Sequence, residues 1–143
     1  MSNSVDTAQP SASTPTVLGR IPIMDVTPCI ENGRLAAKGT EYESFPVQAT
    51  VFREGHDLFG AEAVLVDPDG NEVQRTPMVD TKPGLNRYEG WLTPTFPGSW
   101  EFFVRAWSDP YATWHHNAEI KVGAGSDIKL VFLELEVLFR RAL

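Results

Sequence analysis

The sequence has little of what usually reveals a protein's chemistry. Its 143 residues contain one cysteine, Cys29, so no disulfide can form within the chain. Lysine and arginine number 12 against 19 acidic residues, which gives a formal net charge of -7. Because phosphate backbones and anionic membranes attract clustered positive charge, we expect neither a nucleic-acid partner nor a membrane partner. The single cysteine is typical of a cytoplasmic protein.

Long apolar runs and catalytic motifs are missing as well. No run reaches the roughly 20 residues of a membrane helix, and no basic-then-apolar secretion signal opens the chain. The sequence has no Gly-x-Ser-x-Gly elbow, no Gly-x-x-x-x-Gly-Lys phosphate loop and no His-Glu-x-x-His zinc motif. Glu54 and Asp57 fall on one loop rather than on two sides of a sugar ring, so they do not form a glycosidase pair. We therefore predict no catalytic residue and no cofactor within this chain.

Three histidines are the remaining candidates for a metal site. His115 and His116 lie next to a segment predicted to be a strand, where neighbouring side chains point to opposite faces. They could not easily bind one ion together. We predict that these two residues and His56 are surface or interface histidines, and that the chain has no metal site.

What the sequence does contain is a series of short segments in which apolar and polar residues alternate. Turn-forming residues separate them, and Asp67-Pro68-Asp69-Gly70 predicts a hairpin. Strands are predicted near residues 20–26, 45–51, 61–66, 72–75, 88–92, 100–106 and 116–122. About seven strands with turns roughly every 8–12 residues indicate an all-β, immunoglobulin-like β-sandwich. Within it, the predicted inward-facing residues are Phe45, Val47, Ala49, Val51, Ala61, Ala63, Leu65, Trp100, Phe102, Val104 and Ala106.

The two ends of the chain differ from this pattern. Residues 1–17 are rich in Ser, Thr and Pro and poor in apolar residues, which predicts a disordered tail. The sandwich is predicted to span residues 18–126. Residues 127–143 are predicted to form a final strand running into the start of a truncated helical segment, with Leu135, Leu138 and Phe139 on one helical face. Because such apolar residues need a covering partner, we expect the chain to self-associate.

Aromatic residues are the best candidates for ligand binding. Trp91, Tyr111 and Trp114 could stack on sugar rings, because an aromatic side chain presents a large apolar face at low entropic cost. Tyr88 and Trp107 are further members of this predicted platform. The alternative is that these rings fill the sandwich core or contact a neighbouring domain.

A run of polar residues follows the predicted strand at 45–51. None of the side chains in Arg53-Glu54-Gly55-His56-Asp57 is of a type that a hydrophobic core requires. The run fits a charged hairpin turn in which Gly55 supplies a positive φ angle. It fits equally a docking loop in which Arg53 and His56 donate hydrogen bonds while Glu54 and Asp57 accept them.

The same run carries a resemblance to a known family. The sequence resembles the N-terminal β-domain of the bacterial α-1,4-glucan:maltose-1-phosphate maltosyltransferases over about residues 18–132. The segments that carry the likeness are Gly19-Arg-Ile-Pro-Ile23, Ala49-Thr-Val-Phe-Arg-Glu-Gly-His-Asp57, Trp107-Ser-Asp-Pro110, Thr113-Trp114, His116 and Ile120-Lys121.

The resemblance implies a place in a cytoplasmic, retaining glycosyltransferase that moves maltosyl units from maltose 1-phosphate onto a glycogen-like α-glucan. In that family an amylase-type α/β barrel carries the catalytic Asp and Glu and follows the N-terminal domain. This chain lacks the barrel, so we predict that it is inactive alone and that no catalytic residue transfers to it. The implied role is an accessory and dimerisation domain that docks on the barrel and on a second subunit.

The predicted docking surface includes Arg53, Glu54, His56, Asp57, Trp107, Trp114 and His116. The alternative is an α-glucan-binding module that holds the acceptor near a catalytic domain, with stacking by Trp91, Tyr111 and Trp114. A free-standing adaptor is the third hypothesis.

Overall fold

A computed structural model describes residues 21–143, so the predicted disordered tail at 1–17 lies outside the described residues. The strands are β1 (Ile23–Thr27), β2 (Phe45–Val51), β3 (Phe59–Val66), β4 (Glu72–Pro77), β5 (Val79–Lys82), β6 (Arg87–Leu92) and β7 (Glu101–Ser108). Two helices follow them, α1 (Pro110–Gly123) and α2 (Ile128–Ala142). A single 3₁₀ turn spans Glu31–Gly33. Within residues 21–143, neither helix is long and apolar enough to cross a membrane.

The strands form two antiparallel sheets that pack face to face. One sheet has four strands in the order β1-β2-β6-β5, and the other has three in the order β4-β3-β7. The core lies between them and is built from Val47, Ala49, Val51, Ala61, Ala63, Leu65, Met78 and Leu92. This arrangement confirms the predicted β-sandwich, because alternate residues of β2 and β3 face inward as the two-residue period requires.

The half-buried aromatic residues extend this core. Phe45 and Phe102 meet edge to face, with their ring centroids 5.7 Å apart. Trp100 is half-buried rather than fully enclosed, and its indole Nε1 donates a hydrogen bond of 2.8 Å to the carbonyl of Phe96. The predicted inward orientation of β7 is therefore confirmed, although its side of the core is less covered than that of β2.

The turn between β3 and β4 shows how a short sequence sets local structure. The Asp67 carboxylate accepts hydrogen bonds from the backbone N–H groups of Asn71 (2.8 Å) and Asp69 (2.9 Å). Gly70 adopts a φ of +88°, which a residue without Cβ reaches at low cost. The bond from the backbone of Asn71 is the main reason why the pKa of Asp67 is lowered. The predicted hairpin is confirmed.

Two predicted strands are wrong. Residues 116–122 belong to α1, and the segment from Asp127 begins α2 without a strand before it. The alternation of Ala118, Ile120 and Val122 indicated a strand, but Asp109 caps a helix that starts at Pro110, and cap and proline together fix the local conformation. The strand that takes the place of the one predicted at 116–122 is β5. It was not predicted, because its four residues are all exposed and show no apolar pattern.

The segment between β2 and β3 corrects a further expectation. These strands belong to different sheets, so Arg53-Glu54-Gly55-His56-Asp57 is a connection across the sandwich and not a hairpin turn. Gly55 has a φ of +94°, as predicted. The connection ends beside the start of α1, which places its charged residues next to the helices.

Candidate interaction surface

The two helices form an antiparallel hairpin with a well-defined turn. The N–H groups of Gly125 and Ser126 donate to the carbonyls of Val122 and Lys121, both at 3.0 Å, which is the bonding pattern of a Schellman motif. Gly125 has a φ of +68°, and Asp127 follows it at +56°. These left-handed residues reverse the chain, so that α2 packs back along α1.

The start of α1 is tied to the sandwich. Asp109 Oδ1 accepts a hydrogen bond of 2.9 Å from the N–H of Ala112, which caps the helix. The N–H of Asp109 donates to the carbonyl of Leu58 at 3.0 Å. In return, the N–H of Leu58 donates to Thr113 Oγ1 at 2.8 Å. The residue before β3 therefore holds the first turn of α1 in place.

Arg53 strengthens the same junction. Its Nη1 donates to Ser108 Oγ at 2.7 Å, and its Nη2 forms an ion pair with Asp57 at 3.1 Å. The Arg53 side chain is only 15% exposed, whereas that of Asp57 is 61% exposed. Arg53 thus links the β2–β3 connection to the end of β7, while Glu54 and His56 remain exposed.

The contact between the helices is small. Ala118 of α1 and Val131 of α2 are the two buried residues of the hairpin. Trp114 Nε1 donates a hydrogen bond of 2.9 Å to the carbonyl of Val131, and Lys121 lies 3.9 Å from the Glu134 carboxylate. The hairpin is therefore held by one apolar seam with a polar contact on each side.

A groove of about 570 Å³ runs between the helices and the β2–β3 connection. Apolar carbon dominates its wall on the α2 side, and charged or polar groups dominate the opposite side. Its lining residues are Arg53, Asp57, Ser108, Asp109, Pro110, Thr113, Trp114, Asn117, Leu130, Leu133, Glu134, Val137 and Leu138. The structure thus brings Arg53, Asp57 and Trp114 of the predicted docking surface to one place.

Most of α2 beyond this seam is apolar and exposed. Five side chains are between 48% and 60% exposed: Leu130, Phe132, Leu133, Val137 and Phe139. Leu135 and Leu138 of the predicted helical face are half-buried, whereas Phe139 points outward. We call the five exposed residues the α2 apolar face; at about 100° per residue they form two flanks of the buried Val131, with Leu130, Leu133 and Val137 on the groove side and Phe132 and Phe139 on the other. Exposed apolar surface of this extent is typical of interaction sites.

The predicted aromatic platform is divided between separate elements. Tyr111 and Trp114 lie together on α1, with ring centroids 5.8 Å apart, and His115 packs beside them at 6.1 Å from Tyr111. Trp107 lies on the outer face of the three-stranded sheet and Trp91 on the outer face of the four-stranded sheet. Tyr88 faces the core instead, 5.5 Å from Phe59, and burial raises the pKa of its phenol.

The histidines occupy the surface. His116 is exposed on α1, and His115 Nδ1 lies 3.9 Å from the Glu119 carboxylate. Because this segment is a helix, neighbouring side chains diverge by about 100° rather than pointing to opposite faces. Residues 21–143 contain no group of three or more His, Cys, Asp or Glu side chains placed to hold a metal ion.

Sequence patterns did not identify two polar residues that lie next to Trp91. Trp91 Nε1 donates a hydrogen bond of 2.9 Å to Glu89 Oε1, and Gln48 Nε2 donates one of 2.6 Å to Glu89 Oε2. Gln48 lies directly opposite Glu89 in the pairing of β2 with β6. The signal that could have found them is this cross-strand register, which neither strand reveals alone.

The outer face of the three-stranded sheet carries an ion-pair network. Arg105 contacts Glu62 at 2.5 Å and Glu72 at 3.3 Å, and Arg75 pairs with Glu72 at 2.7 Å. The hydrogen bond with Glu62 is the main reason why the pKa of Arg105 is raised. Burial alone would raise the pKa of Glu72, but hydrogen bonds from Arg75 and Arg105 outweigh it, so that pKa is lowered.

Comparison with known proteins gives consistent matches. The family described as "Alpha-1,4-glucan:maltose-1-phosphate maltosyltransferase, domain N/S" matches residues 19–143. A relative from Arcanobacterium haemolyticum, named alpha-1,4-glucan:maltose-1-phosphate maltosyltransferase, is 63% identical over 126 residues, which cover 88% of this chain and 18% of the relative. Two Streptomyces coelicolor proteins of the same name are 49% and 52% identical; the matches cover 92% and 87% of this chain and 20% and 19% of those relatives. The chain therefore spans about a fifth of the length of the curated relatives that it matches.

Proposed function

The chain belongs to the alpha-1,4-glucan:maltose-1-phosphate maltosyltransferase family, in which it matches domain N/S, and from that premise we propose that it is a non-catalytic accessory and dimerisation domain of a maltosyltransferase. The proposed parent enzyme transfers maltosyl units from maltose 1-phosphate to an α-1,4-glucan in the cytoplasm. Because the relatives are about five times longer than the matched region, we place the catalytic residues in the part that this chain does not include.

The observation that carries the proposal is the α2 apolar face. The sandwich encloses a fully buried core, and its exposed apolar residues, such as Val73 and Leu85, are spread over separate strands and turns. The hairpin leaves five large apolar side chains about half exposed on one helix. Apolar surface of this kind, bordered by charged groups such as Glu134 and Arg53, has the composition of a protein interface with a polar rim.

The energies agree with an interface larger than α2 alone. Covering the remaining exposed half of a large apolar side chain contributes about 1 kcal/mol. Five such residues contribute about 5 kcal/mol, which is close to the lower end of the roughly 4–15 kcal/mol that association costs in lost freedom and leaves little net affinity. The proposed contact therefore includes the adjoining groove and exposed residues of α1 such as Ile120, which is 59% exposed.

Within this proposal the charged connection between β2 and β3 has two roles. Arg53 and Asp57 stabilise the junction with α1, while the exposed Glu54 and His56 remain free to meet a partner at the rim. Trp114 and His116 lie on the same helix, whereas Trp107 lies on a sheet face and belongs to the docking surface only if the partner extends there.

Sedimentation velocity of the 143-residue chain tests the proposal. We expect concentration-dependent self-association, which the double substitution Leu133→Ser with Val137→Ser should abolish because it places hydroxyl groups in the α2 apolar face. A matched control is Val73→Ser with Leu85→Ser, which changes residues of similar exposure (52% and 66%) on the sandwich.

The control variant should associate as the unmodified chain does, and at a concentration where the unmodified chain is monomeric both variants should have its melting temperature. A chain that stays monomeric at every concentration would contradict the dimerisation role. Equal loss of association in both double variants would also contradict it, since the contact would then not depend on α2.

A further inference from the structure

The outer face of the four-stranded sheet carries an aromatic and polar cluster that the docking role does not use. We propose that Trp91, Glu89 and Gln48, named here the Trp91 cluster, form a binding site for a neutral pyranose ring of an α-glucan chain. The identity of the glucan rests on the proposed function, but the site itself belongs to β2 and β6 and not to the hairpin.

The indole of Trp91 is held in place without being buried. It is 50% exposed, and its Nε1 is fixed by the 2.9 Å hydrogen bond to Glu89. Glu89 is fixed in turn by the 2.6 Å hydrogen bond from Gln48. An exposed ring that needs no further ordering can bind a ligand with little loss of side-chain entropy. These three residues are therefore pre-organised.

The spacing of the cluster suits a sugar. Glu89 and Trp91 are two residues apart on one face of a strand, which separates them by about 7 Å. The Glu89 carboxylate keeps free lone pairs, and the Gln48 amide keeps a second N–H and its carbonyl. A pyranose presents an apolar C–H face with hydroxyl groups around its edge. The cluster presents the complementary pattern, an aromatic face with hydrogen-bonding groups about one ring away.

The surroundings leave this face accessible. Pro46 lies opposite Trp91 on β2, and Val79 lies opposite Glu89 on β5. Both residues are exposed and neither is large enough to stand over the indole. On the β2 side, Pro46 and Gln48 also line a pocket with the 27–41 segment, so the cluster borders an open cavity there.

The charge of the cluster selects between sugars. Glu89 places a carboxylate at the edge of the site, and the nearest guanidinium on the strand, Arg87, is engaged by the carbonyl of Asp25 (2.8 Å) and by Thr50 (3.2 Å). A phosphate group beside Glu89 would meet a like charge on that carboxylate. The site therefore fits the neutral glucan acceptor and disfavours a phosphorylated donor such as maltose 1-phosphate.

Isothermal titration of the 143-residue chain with maltoheptaose tests the site. We expect measurable binding at millimolar sugar, about tenfold weaker binding for Trp91→Ala because a stacking contact is lost, and most of the affinity retained in Trp91→Phe. Trp107→Ala is the matched control, since this indole is similarly exposed (43%) but lies against Gly60 on the other sheet. Maltose 1-phosphate should bind no better than maltose.

The proposal is overturned if the unmodified chain binds no sugar, if Trp91→Ala and Trp107→Ala bind equally well, or if the phosphorylated sugar binds more tightly. Melting curves check that each variant is folded, and Trp91→Phe keeps the test valid should Trp91→Ala unfold. The variant with Leu133→Ser and Val137→Ser should bind sugar normally, so failure of the glucan site and failure of the docking role are separate results.

Discussion

The sandwich and the helical hairpin bury their apolar residues to very different extents. In the sandwich, Val47, Ala49, Val51, Ala63 and Leu92 have no exposed surface at all. In the hairpin, only Ala118 and Val131 are buried, although α2 is rich in large apolar residues and more apolar than α1.

The difference supports the proposed interface role of the hairpin. The buried core residues of the sandwich contribute to stability within this chain. In the hairpin, five large apolar side chains of α2 stay about half exposed, where they add little to stability until something covers them. Stability should therefore be sensitive to substitutions in the sandwich, and association to substitutions in the hairpin.

The largest expected effect is in the sandwich core. Leu65→Ala removes a side chain that is 1% exposed and should lower the free energy of unfolding by about 3 kcal/mol, from lost transfer energy and the cavity left behind. Leu133→Ala, at 58% exposure in α2, should change it by less than about 0.5 kcal/mol. Urea denaturation at a concentration where the chain is monomeric measures both. Similar costs for the two variants would mean that α2 is already covered within the monomer.

A smaller effect is expected where the two regions meet. Arg53→Ala removes the bonds to Ser108 and Asp57 and should lower the free energy of unfolding by about 1–2 kcal/mol, because hydrogen bonds to charged groups are lost at a largely enclosed side chain. His56→Ala, three residues away and exposed, should leave the melting temperature unchanged. Calorimetry of the two variants distinguishes a structural role from a docking role. An unchanged melting temperature for Arg53→Ala would mean that Arg53 serves only as a docking residue.

The smallest effect concerns pH and the outer face of the sandwich. The pKa values of Glu72 and Asp67 are lowered in the folded chain, so both carboxylates favour folding while they are ionised. Their contribution is complete above the ordinary carboxyl pKa of about 4 and is lost as pH falls below it, through the lowered folded values. The melting temperature should fall over this range, and the fall should be smaller in Glu72→Gln. An identical profile in that variant would show that the network with Arg75 and Arg105 contributes nothing.

Much of the sandwich could be predicted because its strands carry local signals. The alternation in 45–51 and the Asp67-Pro68-Asp69-Gly70 turn each specify structure from a few neighbouring residues, and β2 and the β3–β4 hairpin formed as expected. β5 could not be predicted, since its residues are all exposed and it exists only because β6 offers an edge to pair with. The predicted sandwich of about seven strands is confirmed, because β5 takes the place of the strand predicted at 116–122; the further strand predicted from residue 127 is a helix.

The hairpin and the clusters were harder to predict for two physical reasons. Ala118, Ile120 and Val122 alternate as in a strand, and only the cap at Asp109 followed by Pro110 favours the helix, so a short start signal outweighed a longer pattern. The Trp91 cluster depends on which residue of β2 faces Glu89, and that register is a tertiary property. The grouping of Arg53 with Trp114 around one groove likewise requires the fold.

Amide hydrogen exchange along α2 tests the central claim most directly. The chain would be labelled at protein concentrations from low micromolar to near millimolar, and exchange would be read separately for α2 and for the buried strands β2 and β3. The account predicts that residues 130–139 become more protected as concentration rises, while β2 and β3 stay equally protected throughout. Exchange in α2 that is independent of concentration, in a chain whose sandwich is folded, would contradict it.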